Sequence, residues 1–235
     1  MPPVESLWQL RLDVLRDSRE QMGVDESLAR TAVPAVRLFL WDPPAVSLGL
    51  RQPRPDWLLA PAWLDAGLPV VERPTGGGIA FHGSDVSVAI VVPRRLGLSV
   101  HTLLRAACES AVKLCEHFGV EAHADATCSS AGPVTYCLTE PSPYAVYAEG
   151  RKVAGFALRR FPESWLVQGS MLVEPLPEAL SAAMPQAIRE RVDRLAAPLA
   201  VLAPKPVDAL EAAARWADAW EDWWDEALIA TGALH

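Results

Sequence analysis

The chain has no hydrophobic run long enough to cross a bilayer, no excess of basic charge and no paired cysteines. Its longest apolar stretch, Val86 to Pro93, falls well short of the ~20 residues that a membrane helix needs. The N-terminal MPPVESLWQLRLDVLRDSRE mixes charged and apolar residues without a signal-peptide core. No export signal is therefore expected, and a cytoplasmic location is the default reading. With 21 basic against 29 acidic residues the formal charge is -8, which argues against general affinity for nucleic acid or anionic membranes. Four cysteines, Cys108, Cys115, Cys128 and Cys137, form no CxxC pair. A zinc site is not indicated, and a reducing compartment would keep all four as thiols. Internal repeats and a flexible interdomain linker are also missing.

What is present is a core-forming composition: 51% hydrophobic and 21% charged over 235 residues, enough for one sizeable domain or a domain with a small appendage. Trp8 to Leu15 alternates partly as a strand does, and Asp17 or Ser18 is placed to cap a helix running to about Arg30. In that helix Asp25 and Glu26 read as a solvated face. Ala35 to Trp41 and Ala45 to Leu50 read as strands separated by Asp42-Pro43-Pro44. Pro61 to Ala66 suggests a short helix, Leu68 to Val71 a strand, and the β-branched run Val86 to Val92 a central strand buried on both faces.

Between those last two strands lies RPTGGGIAFHGSD, residues 73–85. Gly76, Gly77 and Gly78 cost backbone entropy and contribute no packing. They mark either a turn or a place where main chain lies against a ligand. Ser99 then caps an amphipathic helix whose Leu103, Leu104, Ala107, Ala111, Leu114 and Cys115 recur at helical spacing until Gly119. Cys108 and Cys115 read there as small core residues, and His101 and His117 as exposed. Residues 121–132, with His123, Asp125 and Cys128, match no metal-ligand spacing and read as a loop. YAVYAEGRKVAGFALRR, residues 144–160, is a pair of strands joined by Glu149-Gly150, and a third strand follows over Trp165 to Val173.

The last 60 or so residues are rich in proline and alanine and then helical. Leu210, Ala213, Trp216, Trp220, Trp223, Trp224 and Leu228 fall mostly on one side. Such a stripe is either a partner-binding face or a helix docked on its own domain, and burial is the commoner reason for one.

Four stretches, taken together, resemble the lipoate-protein ligase and octanoyltransferase family, which shares a catalytic fold with biotin-protein ligases. MGVDESLAR resembles the family's first helix, LFLWDPPAVSLGLRQ its RFYxWxPPAxSLGxxQ, RPTGGGIAFHGSD its RRxTGGGxVxHD, and GRKVAGFALRR its GKKIxGSAxRR. The order of the four makes the likeness specific. It implies an α+β fold with a mixed, largely antiparallel sheet flanked by helices, a catalytic domain over residues 1–175, and a helical extension over residues 176–235 packed on it.

The segment YCLTEPSPYAVYAEGRKVAGFA resembles the cysteine-dependent octanoyltransferases, whose pattern is close to ACFxxPSxYExxxxGxKIxGSA. It lacks the RND element of the ATP-dependent ligases. The resemblance implies a transferase that moves an octanoyl or lipoyl group from acyl carrier protein, or from a carrier domain, to the acceptor lysine of a lipoyl domain. In this reading Cys137 holds the acyl group as a thioester and Lys152 stabilises the acyl carbonyl. Arg73, Thr75, Gly76, Gly77, Gly78, His82, Gly155 and Ala157 line the substrate site. The acceptor would be H protein or a dehydrogenase E2 lipoyl domain.

No cofactor or metal is then required. ATP and magnesium belong to the alternative, an ATP-dependent lipoate-protein ligase, and a non-catalytic acyl- or carrier-binding protein is the alternative of another class. Phe156 stands where the family has serine, so a shortened or reshaped pocket is expected. Glu72 stands for the first arginine of RRxTGGG, which disfavours a phosphate there. Acidic partners would require Arg51, Arg54, Arg94, Arg95, Arg159 and Arg160 to gather near the pocket mouth.

Overall fold

The computed structural model describes residues 9–127 and 135–230. Strand β1 (Gln9–Arg16) leads into helix α1 (Ser18–Thr31), strands β2 (Ala35–Trp41) and β3 (Ala45–Leu48), and the short helix α2 (Pro61–Asp65). Strands β4 (Val70–Glu72), β5 (Ala80–His82) and β6 (Asp85–Pro93) precede helix α3 (Val100–His117). Next come β7 (His123–Asp125), β8 (Ala145–Ala148), β9 (Arg151–Arg160) and β10 (Ser164–Leu172). Helices α4 (Glu178–Ala183), α5 (Gln186–Leu195), α6 (Leu199–Leu202) and α7 (Ala209–Ala230) complete the order.

Seven strands form the main sheet in the order β1-β2-β6-β10-β9-β8-β7, and β4-β3-β5 form a second, smaller one. In the main sheet β1 runs parallel to β2 and every other neighbouring pair is antiparallel. This is the mixed, largely antiparallel architecture expected from the sequence. Strand β6 lies between β2 and β10 with every residue buried, which is why its sequence shows no polar-apolar alternation. At the β8–β9 hairpin Glu149 and Gly150 both have positive φ, 50° and 72°, as a two-residue turn matching the strand twist requires.

Asp17 begins α1: its Oδ1 accepts from Arg19 N at 2.8 Å and from Glu20 N at 2.9 Å, satisfying donors that the first turn leaves open. One face of the main sheet is covered by α3 and α7, whose apolar sides meet Leu38, Val88, Val167 and Met171. Cys108 and Cys115 lie in this layer, and burial pushes each thiol up to about 12, so both are inert core residues. Helix α1 packs on the other face, against β2, β6 and β10.

Trp216 and Trp220 of α7 are 0% and 1% exposed, and Trp216 Nε1 donates to Ser110 Oγ at 2.9 Å. Burying an indole of this size contributes on the order of 4–6 kcal/mol. The aromatic stripe is therefore core over these two residues, while the side chains of Trp223, Trp224 and Leu228 lie outside the described residues. Leu210, expected on the same stripe, is exposed; six residues advance a helix by about 600°, which leaves it roughly 120° from Trp216.

Two further expectations change. His123 to Asp125, read as loop, is an edge strand because its backbone pairs with Ala145 to Tyr147; Cys128 lies outside the described residues. Asp25, read as part of a solvated face, is fully buried. The C-terminal segment is tied to β9 through the main chain: Ala197 N donates to the Lys152 carbonyl at 2.9 Å, and Lys152 and Ala196 form a parallel bridge.

Candidate active site

A pocket lies between the main sheet and the smaller one. Its wall includes Arg73, Gly77, His82, Cys137, Lys152, Gly155 and Ala157, so residues distant in sequence converge there. Thr75, Gly76 and Gly78 stand behind that wall.

Arg73 follows β4 and is buried. Its Nη2 donates to the carbonyls of Gly76 at 2.8 Å and Gly78 at 2.7 Å, so the guanidinium folds the glycine run around itself. The same nitrogen lies 3.5 Å from Cys137 Sγ. Gly77 has φ 98°, and a Cβ placed there would sit 2.8 Å from Arg73 Nη2 and 3.6 Å from the sulfur. Glycine is needed at 77 for both its backbone and its vacant space. At Gly76 the corresponding space is open. Gly49 is packed so closely that an added Cβ would meet the Gly77 carbonyl oxygen at 2.0 Å.

Cys137 is fixed by its own main chain. Ile79 N donates to Thr135 O at 2.7 Å and Cys137 N donates to Ile79 O at 2.8 Å. The segment carrying the thiol is thereby stitched to the end of the glycine run. Lys152, on β9, is 4% exposed, and its Nζ donates to Ser142 Oγ at 2.7 Å and to Glu140 O at 3.1 Å. Ser142, of the PSxY string, thus holds the amine. A Cβ at Gly155 would lie 3.0 Å from Lys152 Cε and 3.3 Å from Nζ, so the glycine lets the lysine lie across β9. A buried cation of this kind can stabilise a developing oxyanion, and a thiol in the same pocket can carry an acyl group.

Phe156 is part of the pocket lining. Alternation along β9 turns it to the face opposite Gly155 and Ala157. There the ring lies over Gly169, where an added Cβ would meet it at 2.2 Å, and edge-on to Trp216, with centroids 6.4 Å apart.

Behind the wall lie two polar networks that sequence reasoning missed. In the first, His82 Nδ1 is 2.8 Å from Asp85 Oδ2 and His82 Nε2 is 2.8 Å from Ser47 Oγ. Burial would raise the Asp85 pKa, but the charge and hydrogen bond of His82, with those of Ser170 and Gly83, hold it below the usual carboxylate value. In the second, Thr75 Oγ1 donates to Gln168 Oε1 at 2.7 Å, and Gln168 Nε2 donates to Asp25 Oδ2 at 2.6 Å. Arg37 Nη1 donates to Asp25 Oδ1 at 2.6 Å. Burial pushes Asp25 up to about 6, against the pull of Arg37 and Gln168. Ser47 and Asp85 stand inside the quoted SLG and HGSD strings, which was the available signal; Gln168 and Arg37 carry none.

Of the arginines expected at the mouth, Arg159 and Arg94 have side chains held by main chain. Arg159 Nη1 donates to Pro74 O at 2.9 Å beside the glycine run. Arg94 reaches Pro162 O and lies over the ring of Trp165, which pairs with Arg160. Glu72 is exposed, and one of its carboxylate oxygens accepts from Arg51 N at 3.0 Å. Among the described residues no group of His, Cys, Asp and Glu is arranged to hold a metal ion. None of the described helices is long and apolar enough to cross a membrane.

The family model of the lipoyl protein ligase A/B catalytic domain matches residues 17–220. An octanoyltransferase LipM of Kyrpidia tusciae is 33% identical over 210 residues, covering 80% of this chain and 76% of that protein. Another, of Symbiobacterium thermophilum, is 31% identical over 188 residues, covering 73% and 67%. Among solved structures, a lipoate-protein ligase A bound with ATP superposes with a TM-score of 0.67 at 20% identity, covering 91% of this chain and 85% of that one. A bipartite lipoate protein ligase studied with its E2 lipoyl domain, from Thermoplasma acidophilum, gives 0.67 at 19% identity, covering 94% and 83%. At these identities the structural likeness speaks for the fold.

Proposed function

The chain belongs to the lipoyl protein ligase A/B catalytic domain family and is an acyltransferase of the octanoyltransferase kind; we propose that Cys137 carries the acyl group between two protein partners. The observation that carries this reading is the Cys137 sulfur, fixed in the pocket wall 3.5 Å from Arg73 Nη2, with the Lys152 amine in the same pocket. An octanoyl thioester of acyl carrier protein enters, and the Cys137 sulfur attacks its carbonyl carbon. Lys152 stabilises the oxyanion. The carrier thiol leaves with a proton, and octanoate remains on Cys137 as a thioester. The amine of a lipoyl-domain lysine then attacks, an amide forms, and the Cys137 sulfur departs beside the Arg73 cation and regains a proton.

Because the donor is already a thioester, ATP and magnesium are not needed. Support comes from Glu72, whose exposed carboxylate beside the glycine run would repel a triphosphate. Residues 176–235 act as an extension of the catalytic domain, a view supported by the main-chain tie at Lys152. The acceptor is a lipoyl domain such as H protein or a dehydrogenase E2, and the location is cytoplasmic.

Intact mass after mixing with octanoyl-acyl carrier protein tests the reading. The expected result is one octanoyl adduct, absent in Cys137→Ala, that passes to a lipoyl domain without ATP. Transfer that requires ATP and leaves no adduct would establish a ligase, and binding without transfer a carrier-binding protein; either overturns the proposal.

A further inference from the structure

The pocket contains a hydrogen-bonded chain for which the acyl-transfer reading has no task. Asp85 Oδ2 faces His82 Nδ1, His82 Nε2 faces Ser47 Oγ, and Ser47 Oγ accepts from Arg73 Nη1 at 3.2 Å. Arg73 Nη2 in turn reaches Cys137 Sγ. Asp85, His82, Ser47 and Arg73 are all buried.

The order of carboxylate, imidazole and hydroxyl is that of a serine hydrolase triad, in which the hydroxyl is the nucleophile. Here a cation sits on that hydroxyl. The Ser47 lone pair is drawn to Arg73, whose Nη1 also donates to the Ser47 carbonyl at 3.3 Å. Electron density directed at a guanidinium is poorly placed to attack a carbonyl. We propose that Asp85, His82 and Ser47 are positioning residues that aim the Arg73 guanidinium at the Cys137 sulfur. The proposal rests on the reading of Cys137 as the acyl-bearing residue.

Asp85 accepts from Gly83 N at 3.0 Å, Ser87 Oγ at 3.0 Å and Ser170 Oγ at 2.6 Å besides His82, a set of donors that favours the ionised form. With the imidazole neutral, an ionised Asp85 keeps its proton on Nδ1, leaving Nε2 to accept the Ser47 hydroxyl. The imidazole cannot rotate out of this arrangement easily, because it stacks on Trp41 at 3.9 Å between centroids and 15° between planes. Ser47 therefore presents a lone pair, not a hydrogen, to Arg73.

The other end of the guanidinium has two N–H bonds and three acceptors: Gly76 O, Gly78 O and Cys137 Sγ. How those bonds are shared depends on the tilt of the group, and the Ser47 anchor sets that tilt. Reversing the imidazole tautomer would turn the Ser47 hydrogen toward the cation and release the anchor.

The test uses the full-length chain with two readouts. One is the rate of iodoacetamide alkylation at the Cys137 peptide, followed by mass spectrometry; the other is kcat and KM for loading from octanoyl-acyl carrier protein. Ser47→Ala and His82→Phe, the latter retaining the stack on Trp41, should each slow alkylation and lower kcat about 10-fold with KM unchanged, the effect of losing a hydrogen bond to a charged group. The double variant should be no slower than either single one, because both break the same chain. His82→Gln, whose amide oxygen can accept the Ser47 hydroxyl, should recover most of the rate. Asp85→Asn, nearly isosteric and reversing the tautomer, should show the same loss even where the other variants fold poorly.

Additive effects, unchanged alkylation, or a His82→Gln variant no better than His82→Phe would overturn the proposal. So would an octanoyl adduct on the Ser47 peptide, which would make Ser47 a nucleophile. If the unaltered chain accepts no acyl group, the functional reading fails on its own, and the alkylation series still decides whether the chain acts on Cys137.

Discussion

Gly76 and Gly77 are adjacent in sequence, yet substitution by alanine should affect them in opposite ways. At Gly77 the backbone has φ 98°, and forcing a side chain into such a conformation costs about 1–3 kcal/mol. The new Cβ would also lie 2.8 Å from Arg73 Nη2, so the guanidinium must move. Moving it sacrifices at least one hydrogen bond from a charged group, worth about 1.5–3 kcal/mol. Together these lower the unfolding free energy of Gly77→Ala by roughly 3–6 kcal/mol. For a chain of this size that corresponds to a fall of roughly 6–20 °C in melting temperature. Octanoyl loading should fall more than about 10-fold, since Arg73 leaves the sulfur.

At Gly76 an added Cβ meets nothing within 4 Å and the backbone φ is not positive. Gly76→Ala should therefore melt within about 1 kcal/mol of the unaltered chain, or slightly above it through a stiffer unfolded state. Paired thermal melts and loading assays decide the matter. Equal losses at the two positions, or no loss at Gly77, would refute the account of how the glycine run holds Arg73.

The Lys152 and Asp25 sites give further expectations. Gly155→Ala places a Cβ 3.0 Å from Lys152 Cε; kcat for loading should fall about 10-fold while alkylation of Cys137 stays near the native rate, because the clash touches the oxyanion donor and not the thiol. For Asp25 the sign follows from a folded-state value, about 6, above the ordinary aspartate value of 3.8. Below the lower value both states are protonated and no penalty exists. As pH rises the unfolded chain ionises first, so stability falls by about 3 kcal/mol between roughly pH 4 and pH 6. Chemical denaturation across that range should show the decline, and Asp25→Asn should remove it; a flat profile in the native chain would exclude a raised Asp25.

The sequence made the scaffold legible where one segment carried its own signal. The unbroken apolar run of β6, the Glu149-Gly150 turn and the Ser99 cap each determine local structure by sterics or burial, and each is found where the pattern puts it. The roles proposed for Cys137, Lys152 and Arg73 come from a resemblance, since nothing local marks a thiol in a loop as reactive. The polar networks behind the site were not legible, because their partners come from far apart: Gln168 and Asp25 are separated by 143 positions and His82 and Ser47 by 35. Asp25 shares the spacing of the buried face of α1 with Met22, Leu28 and Ala29; its charge is what made it read as solvated. What satisfies it there is Arg37 and Gln168 arriving from strands, a tertiary fact that one helix does not contain. For Phe156 the size was visible in the sequence, but the face of β9 that its ring occupies depends on register.

Every residue named in the pocket wall precedes position 171, so a shorter chain would seem sufficient to hold the site. The Lys152 carbonyl nevertheless takes its hydrogen bond from Ala197 N, and the same stretch bridges to the strand through Ala196. A fragment ending before position 196 would keep all the chemistry and lose the clasp on the residue that bears the amine. The stretch around Ala196 thus supports the lysine from outside the pocket wall, and a trimmed or fused version that removes it loses that support.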